Sequence, residues 1–210
     1  MTKILIADDH PVVRKGMVEI LTKGINGVLC GETRNGQETC EEVERQDWDL
    51  VILDISMPGR SGLDALKEIK QARPNLPALV LSVHPEEQYG KRALLAGASG
   101  YMNKESAPND LVRAVRQILS GRLYISPAMG EDLAAHLKPT SGREPHENLS
   151  DREFEILRLL GSGKTPGQIA EELHLAVTTI ATYRIRILAK MNMKTTAELM
   201  HYAIANSLTD

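Results

Sequence analysis

Between residues 3 and 103, short runs of branched apolar residues alternate with longer stretches of helical period. KILIA at 3–7, VLCGE at 28–32, DLVILD at 49–54, ALVLSV at 78–83 and SGYMN at 99–103 predict buried strands. Helical spacing lies between and after them. Val13, Met17, Ile20 and Leu21 fall at i, i+4, i+7 and i+8; Leu63, Leu66 and Ile69 follow, then Leu111, Val115, Ile118 and Leu119. Five strands alternating with helices predict a doubly wound parallel sheet covered on both faces. Ligands of such α/β folds sit at the carboxyl ends of the strands, near the point where the strand order reverses.

After Gly121 the pattern breaks. SPAMGEDLAAHL is compatible with a short helix, and KPTSGREPHEN has the proline, glycine and mixed charge of a linker. From Leu149 onward the chain reads as four helices: LSDREFEILRLLGSG, TPGQIAEELHL, AVTTIATYRIRILAKM and TTAELMHYAIANSL. Two starts carry capping boxes, Ser150 with Glu153 and Thr165 with Gln168, the second with Pro166 at the first helical position. The expected organisation is an α/β domain over 1–122, a linker over 123–147 and a small all-α domain over 148–210. No internal repeat is evident.

Composition narrows the setting. A 42% apolar content supports a packed core, and no apolar run approaches a membrane span. Asp8 and Asp9 interrupt the only stretch that resembles a leader, and Cys30 and Cys40 lack metal-ligand or disulfide spacing. The expectation is a soluble cytoplasmic protein with reduced thiols. A net charge of −3 gives no sign of a nucleic-acid partner.

Candidate chemistry gathers at the strand ends. Asp8 and Asp9 follow the first strand and Asp54 ends the third, so a parallel sheet brings all three to one edge. Clustered carboxylates repel one another and call for a cation; Mg²⁺ suits hard oxygen ligands. Ser82 after the fourth strand adds a hydroxyl, and Lys104 after the fifth adds a positive charge. Together these groups suit a transient aspartyl phosphate. Taken alone, Asp8 and Asp9 would merely favour a helix start.

These residues carry a resemblance. ADDHP at 7–11, LDISMPGRSG at 53–62, LSV at 81–83 and GASGYMNK at 97–104 resemble the CheY-like receiver domain of two-component response regulators. The resemblance implies a flavodoxin-like fold and phosphorylation of Asp54 by a sensor histidine kinase or a small phosphodonor. Asp8, Asp9 and Asp54 would bind Mg²⁺, Ser82 and Lys104 would contact the phosphoryl group, and Tyr101 would be the aromatic switch residue. Glu105 departs from the proline that many receivers carry there.

LGSGKTP at 160–166 imitates a phosphate-binding loop, but Arg158 stands where the first glycine should be and a helix rather than a strand precedes it. Thr165 already has its capping role, and Lys164 is left to reach a phosphate backbone. GQIAEEL followed by VTTIATYRIRILAKM fits a helix-turn-helix. Its second helix has an inward seam of Ile180, Ile187, Leu188 and Met191, with Tyr183 beside it. Thr178, Ala181, Thr182, Ile185 and Ala189 lie opposite, flanked by Arg184 on one side and by Arg186 and Lys190 on the other. From Leu149 to Asp210 seven basic residues balance seven acidic ones, yet no acid stands between Glu172 and Glu198. That local basic stretch suffices for phosphate contacts.

LSDREFEILRLLGSGKTPGQIAEEL with TTIATYRIRILAKMNM is similar to the LuxR-type helix-turn-helix of NarL/FixJ response regulators. The family usually has serine at the position of Ala176, lysine at that of Thr178 and often histidine at that of Tyr183. Hydrogen-bonding readout of DNA is therefore expected to be thin. Ala181, Thr182 and Ile185 suit thymine methyl groups, Arg186 suits a base edge or phosphate, and dimer spacing and DNA shape would add specificity. The expected protein is a phosphorylation-switched transcription regulator rather than an enzyme. It would bind double-stranded DNA as a homodimer, and the face of the last helix with Leu199, Tyr202 and Ala203 suits either the dimer contact or packing against the other three helices. Two rival readings are a Mg²⁺-dependent phosphatase using Asp54 and an adaptor whose helical domain binds protein.

Overall fold

A computed structural model describes residues 1–136 and 144–209. Two compact units divide the chain, Met1–Pro139 and Thr140–Asp210. The first contains β1 (Thr2–Ala7), α1 (Pro11–Gly24), β2 (Val28–Thr33), α2 (Gly36–Arg45), β3 (Leu50–Asp54), α3 (Gly62–Ala72), β4 (Ala78–Ser82), α4 (Glu86–Leu95), β5 (Gly100–Asn103), α5 (Ala107–Leu119) and α6 (Pro127–His136). The sheet is parallel, in the order β2-β1-β3-β4-β5. The chain leaves β1 toward β2 and returns on the other side as β3, so the order reverses between β1 and β3.

Strand alternation sorts the core. Ile4, Ile6, Leu50, Ile52, Leu79, Leu81 and Met102 share one face with Met17 and Leu21 of α1 and Leu111, Val115 and Ile118 of α5. Leu5, Val51, Leu53 and Val80, equally buried, belong to the opposite face. Not every predicted strand is interior: β2 is a sheet edge, and Leu29 within it is 42% exposed. The helical spacing through Leu119 also overreaches, because that residue is exposed at the end of α5.

The segment after α5 folds back onto the sheet. Tyr124 N donates to Ser99 O at 2.9 Å and Tyr124 O accepts from Tyr101 N at 3.1 Å, lengthening the β5 edge by one bridge. Ser126 then accepts from Met129 N at the start of α6. Met129 is buried over Gly90 of α4, where an added Cβ would lie 2.6 Å from the methionine methyl. The short helix expected in the linker is thus α6, packed on the first unit. Residues 137–143 of the predicted linker fall outside the described residues, and Pro145–Asn148 forms a short 3-10 helix.

The second unit contains α7 (Asp151–Gly161), α8 (Pro166–Glu172), α9 (Val177–Lys190) and α10 (Thr196–Ala205). Both expected capping boxes form. Phe154, Leu157, Leu160, Ile169, Ile180, Ile187, Leu199 and Ala203 are buried. For the last helix, Leu199 and Ala203 follow the packing alternative rather than a dimer contact. Leu199 and Ala203 turn inward, Ala203 lies against Gly161, and the Tyr202 hydroxyl is 2.9 Å from His146 Nδ1. Two arginines are structural as well: Arg158 donates to Leu208 O at 2.8 Å, and Arg152 donates to Leu173 O at 3.1 Å, satisfying carbonyls left over at helix and chain ends. No helix of the described residues is long and apolar enough to cross a membrane.

Candidate functional site

Register delivers the acids to one level. Ala7 pairs with Leu53, so Asp8 leaves β1 beside Asp54 at the end of β3. Ser82 pairs with Asn103, which puts Lys104 one step beyond β5. Asp8, Asp54 and Ser82 are buried, and Lys104 Nζ stands 2.7 Å from both Asp8 Oδ2 and Asp54 Oδ2. One ammonium shared by two buried carboxylates leaves the acids under-neutralised. Accordingly Asp54 is pushed up to about 6, chiefly by burial and also by the Asp8 charge, against the pull of Lys104 and the Ser56 N–H. Burial pulls the Lys104 ammonium down, but its contacts with Asp54 and Asp8 outweigh that and raise it overall.

Asp8, Asp9, His10 and Asp54 present ligand atoms within 4.8 Å of one another. Asp8 Oδ2 and Asp9 Oδ1 are buried without an aligned hydrogen bond, although Lys104 and His10 Nδ1 each approach to 2.7 Å. Oxygens left over at such a cluster fit a small hard cation, which prefers carboxylates to imidazole. His10, absent from the sequence-based set, pairs with Asp9. Behind the pocket, Arg14 donates to Asp8 O at 2.7 Å and to Glu32 at 3.0 Å, fixing the β1 end. Gly62 lets α3 start against Asp54, since an added Cβ would lie 1.8 Å from Asp54 O.

A second set of contacts joins this edge to Tyr101. Ser82 Oγ accepts from His84 N at 3.1 Å, and the Tyr101 hydroxyl donates to His84 O at 2.8 Å. Tyr101 is buried, and the His84 ring stacks on Tyr89 with centroids 4.9 Å apart and Nε2 3.4 Å from Ser56 Oγ. His84 was also missed from the sequence. Its position two residues past Ser82 was the available signal.

In the second unit the expected DNA-contacting residues divide. Thr178, Ala181, Thr182, Ile185 and Arg186 are exposed on α9. The other cations are engaged within the unit: Lys164 with Glu172 at 2.5 Å, Lys190 with Glu153 at 2.6 Å, and half-buried Arg184 with Thr196 Oγ1 at 3.2 Å. Lys164, expected to reach a phosphate backbone, thus carries an ion pair with Glu172 in this structure. Arg186 lies over the Tyr183 ring, its guanidinium carbon 5.9 Å from the centroid.

A doubly wound domain with an acidic strand edge, followed by a helix-turn-helix unit, defines a class. The family described as response regulator receiver domain matches residues 4–116, and bacterial regulatory proteins, luxR family, matches 147–203. The chain belongs to the response regulators that join a receiver to a LuxR-type DNA-binding domain. Among its relatives, response regulator UvrY of Escherichia coli is 34% identical, the match covering 99% of this chain and 96% of that one. Response regulator GacA of Pseudomonas aeruginosa is 32% identical over 100% of this chain and 99% of its own. The structure of RcsB from Salmonella enterica serovar Typhimurium, bound to promoter rprA with the phosphomimetic BeF3−, matches with a TM-score of 0.63 and 27% identity over 96% of this chain and 98% of RcsB. A structure of two RcsB dimers on two parallel DNAs gives a TM-score of 0.58 and 27% identity over 96% and 97%.

Proposed function

We propose that this protein is a cytoplasmic transcription regulator switched by phosphorylation of Asp54. A sensor histidine kinase is the donor. An Asp54 carboxylate oxygen attacks the phosphorus of the kinase phosphohistidine; the new O–P bond forms as the P–N bond breaks and its electron pair leaves with the imidazole nitrogen. Asp8, Asp9 and Asp54 would hold Mg²⁺, which supplies positive charge for the phosphoryl oxygens. Lys104 turns from its two carboxylates toward the phosphoryl group, and Ser82 Oγ exchanges the His84 N–H for a phosphoryl oxygen. That exchange acts on the His84 segment held by Tyr101, making Tyr101 the switch residue. The regulator then binds as a homodimer, with α9 in the major groove of each half-site.

The observation that supports this reading most is the Lys104 ammonium, 2.7 Å from both Asp8 and Asp54 at the edge where β1 and β3 diverge. RcsB, which shares both domains, forms dimers on DNA in a solved structure. Genome-wide DNA binding of wild type against Asp54→Ala tests the proposal. Sites occupied in a phosphodonor-dependent way by wild type and lost in Asp54→Ala are expected. Equal occupancy by both proteins would overturn the phosphorylation step.

A further inference from the structure

The recognition helix exposes hydrocarbon where a DNA-reading surface ordinarily exposes polar groups. Val177 is 52% exposed and Ile185 63%, with exposed Ala181 between them. These residues recur every fourth position and so form one ridge along α9. Thr182 beside them extends the apolar character. Its hydroxyl donates to Thr178 O at 3.0 Å, so its one donor is directed back to the helix, and its methyl group is available for an outside contact. Two of the cations near the ridge are directed elsewhere, Lys190 to Glu153 and Arg184 to Thr196.

We propose that α9 selects its DNA by packing Val177, Ala181, Thr182 and Ile185 against thymine 5-methyl groups, rather than by hydrogen bonds to guanine. The inference rests on the reading of α9 as the helix that enters the major groove. The methyl group of thymine is the one apolar group that a base pair presents there. Alanine and threonine are small enough to let the helix approach the base edges. Charge favours the same occupant over a protein partner, since the ridge lies in a segment with no acid between Glu172 and Glu198 and is bordered by Arg186. Four residues advance the helix by about 6 Å, close to two base-pair steps of about 3.4 Å. The preferred half-site therefore carries thymines at roughly every second position, on either strand.

The test takes a half-site obtained by selection on the full chain, then replaces its thymines one at a time with deoxyuridine, which removes the methyl and leaves every hydrogen-bonding group. Affinity should fall about fourfold at each thymine facing the ridge, the worth of one buried methyl. Val177→Ser and Ile185→Ser should lose that sensitivity at their own positions while keeping the wild-type thermal melt. Equal binding of deoxyuridine and thymidine sites, with strong dependence on guanine, would overturn methyl readout yet leave DNA binding intact. Absence of any selected site would instead overturn the proposed function. Dissociation of the free dimer by Ile185→Lys, with the deoxyuridine response unchanged, would assign the ridge to protein contact and also overturn the inference.

Discussion

The receiver pocket and the exposed face of α9 solve opposite physical problems. The pocket buries two carboxylates against one shared ammonium, so its geometry is fixed by charges that have nowhere else to go. On the α9 face Lys190 and Arg184 turn aside to Glu153 and Thr196, while Val177 and Ile185 of the apolar ridge are exposed among the described residues. The first concentrates negative charge around one ammonium; the second presents hydrocarbon to solvent. A switch needs both conditions, a site that changes when its charge changes and a surface whose energy is released only on binding. The contrast also separates charges that stabilise the fold from charges available to function.

The largest effect should come from Arg158, a cation committed wholly to structure. Arg158→Ala removes the donor to Leu208 O inside the helical unit and should cost about 2–4 kcal/mol. Urea unfolding followed by helical circular dichroism would register the loss. Fluorescence of Trp48, the single tryptophan and part of the receiver, should keep its wild-type midpoint. A helical transition unchanged by the substitution would erase the distinction between internal and available cations.

Asp54 should act in the opposite direction. Its folded-state value of about 6 exceeds the ordinary 3.8, so the folded protein holds the proton more tightly than the unfolded chain. Stability from this group is therefore present below about pH 4, declines as pH rises toward 6 and is absent above. Without divalent cations, Asp54→Asn should stabilise the receiver at pH 7.5 by about 1–3 kcal/mol, a gain that vanishes in acid. Trp48 fluorescence in urea at both pH values would measure it. Destabilisation at pH 7.5 would mean that Lys104 more than compensates the buried charge.

The smallest effect belongs to Lys190. Its partner Glu153 is buried and held below the ordinary carboxylate range: burial would raise it, but Lys190 and Ser150 outweigh that. The Lys190 side chain is 43% exposed, so Lys190→Ala should cost only about 0.5–1 kcal/mol of helical stability. It should weaken DNA binding less than Arg186→Ala does, as titration of one half-site would show. The reverse order would make Lys190 a phosphate contact rather than a cation of the fold.

The receiver was legible because its signals repeat. Five apolar runs fixed the strands to within a residue or two, and their common direction implied that Asp8, Asp54, Ser82 and Lys104 would share an edge. The helices α2 and α4 were not singled out, because Thr39, Cys40 and Val43 in one and Tyr89, Gly90 and Ala93 in the other make weak apolar stripes. His10 and His84 escaped because a lone histidine in a loop carries no period. Capping boxes located two helices in the second unit, whereas partners such as Glu153 for Lys190 arise only from packing across helices. For the same reason the face of Leu199 and Ala203 suits a dimer contact as well as internal packing until α7 is seen to bring Gly161 against Ala203.

The most direct test of the central claim concerns the two acids that begin the chain's first loop. Asp8→Asn with Asp9→Asn leaves Asp54, Ser82 and Lys104 in place and removes the negative charge from the proposed cation ligands. Incubated with labelled acetyl phosphate and Mg²⁺, wild type should acquire label at Asp54, and the double variant should acquire none. Mg²⁺-dependent labelling of the double variant at the wild-type rate would contradict the account of this pocket.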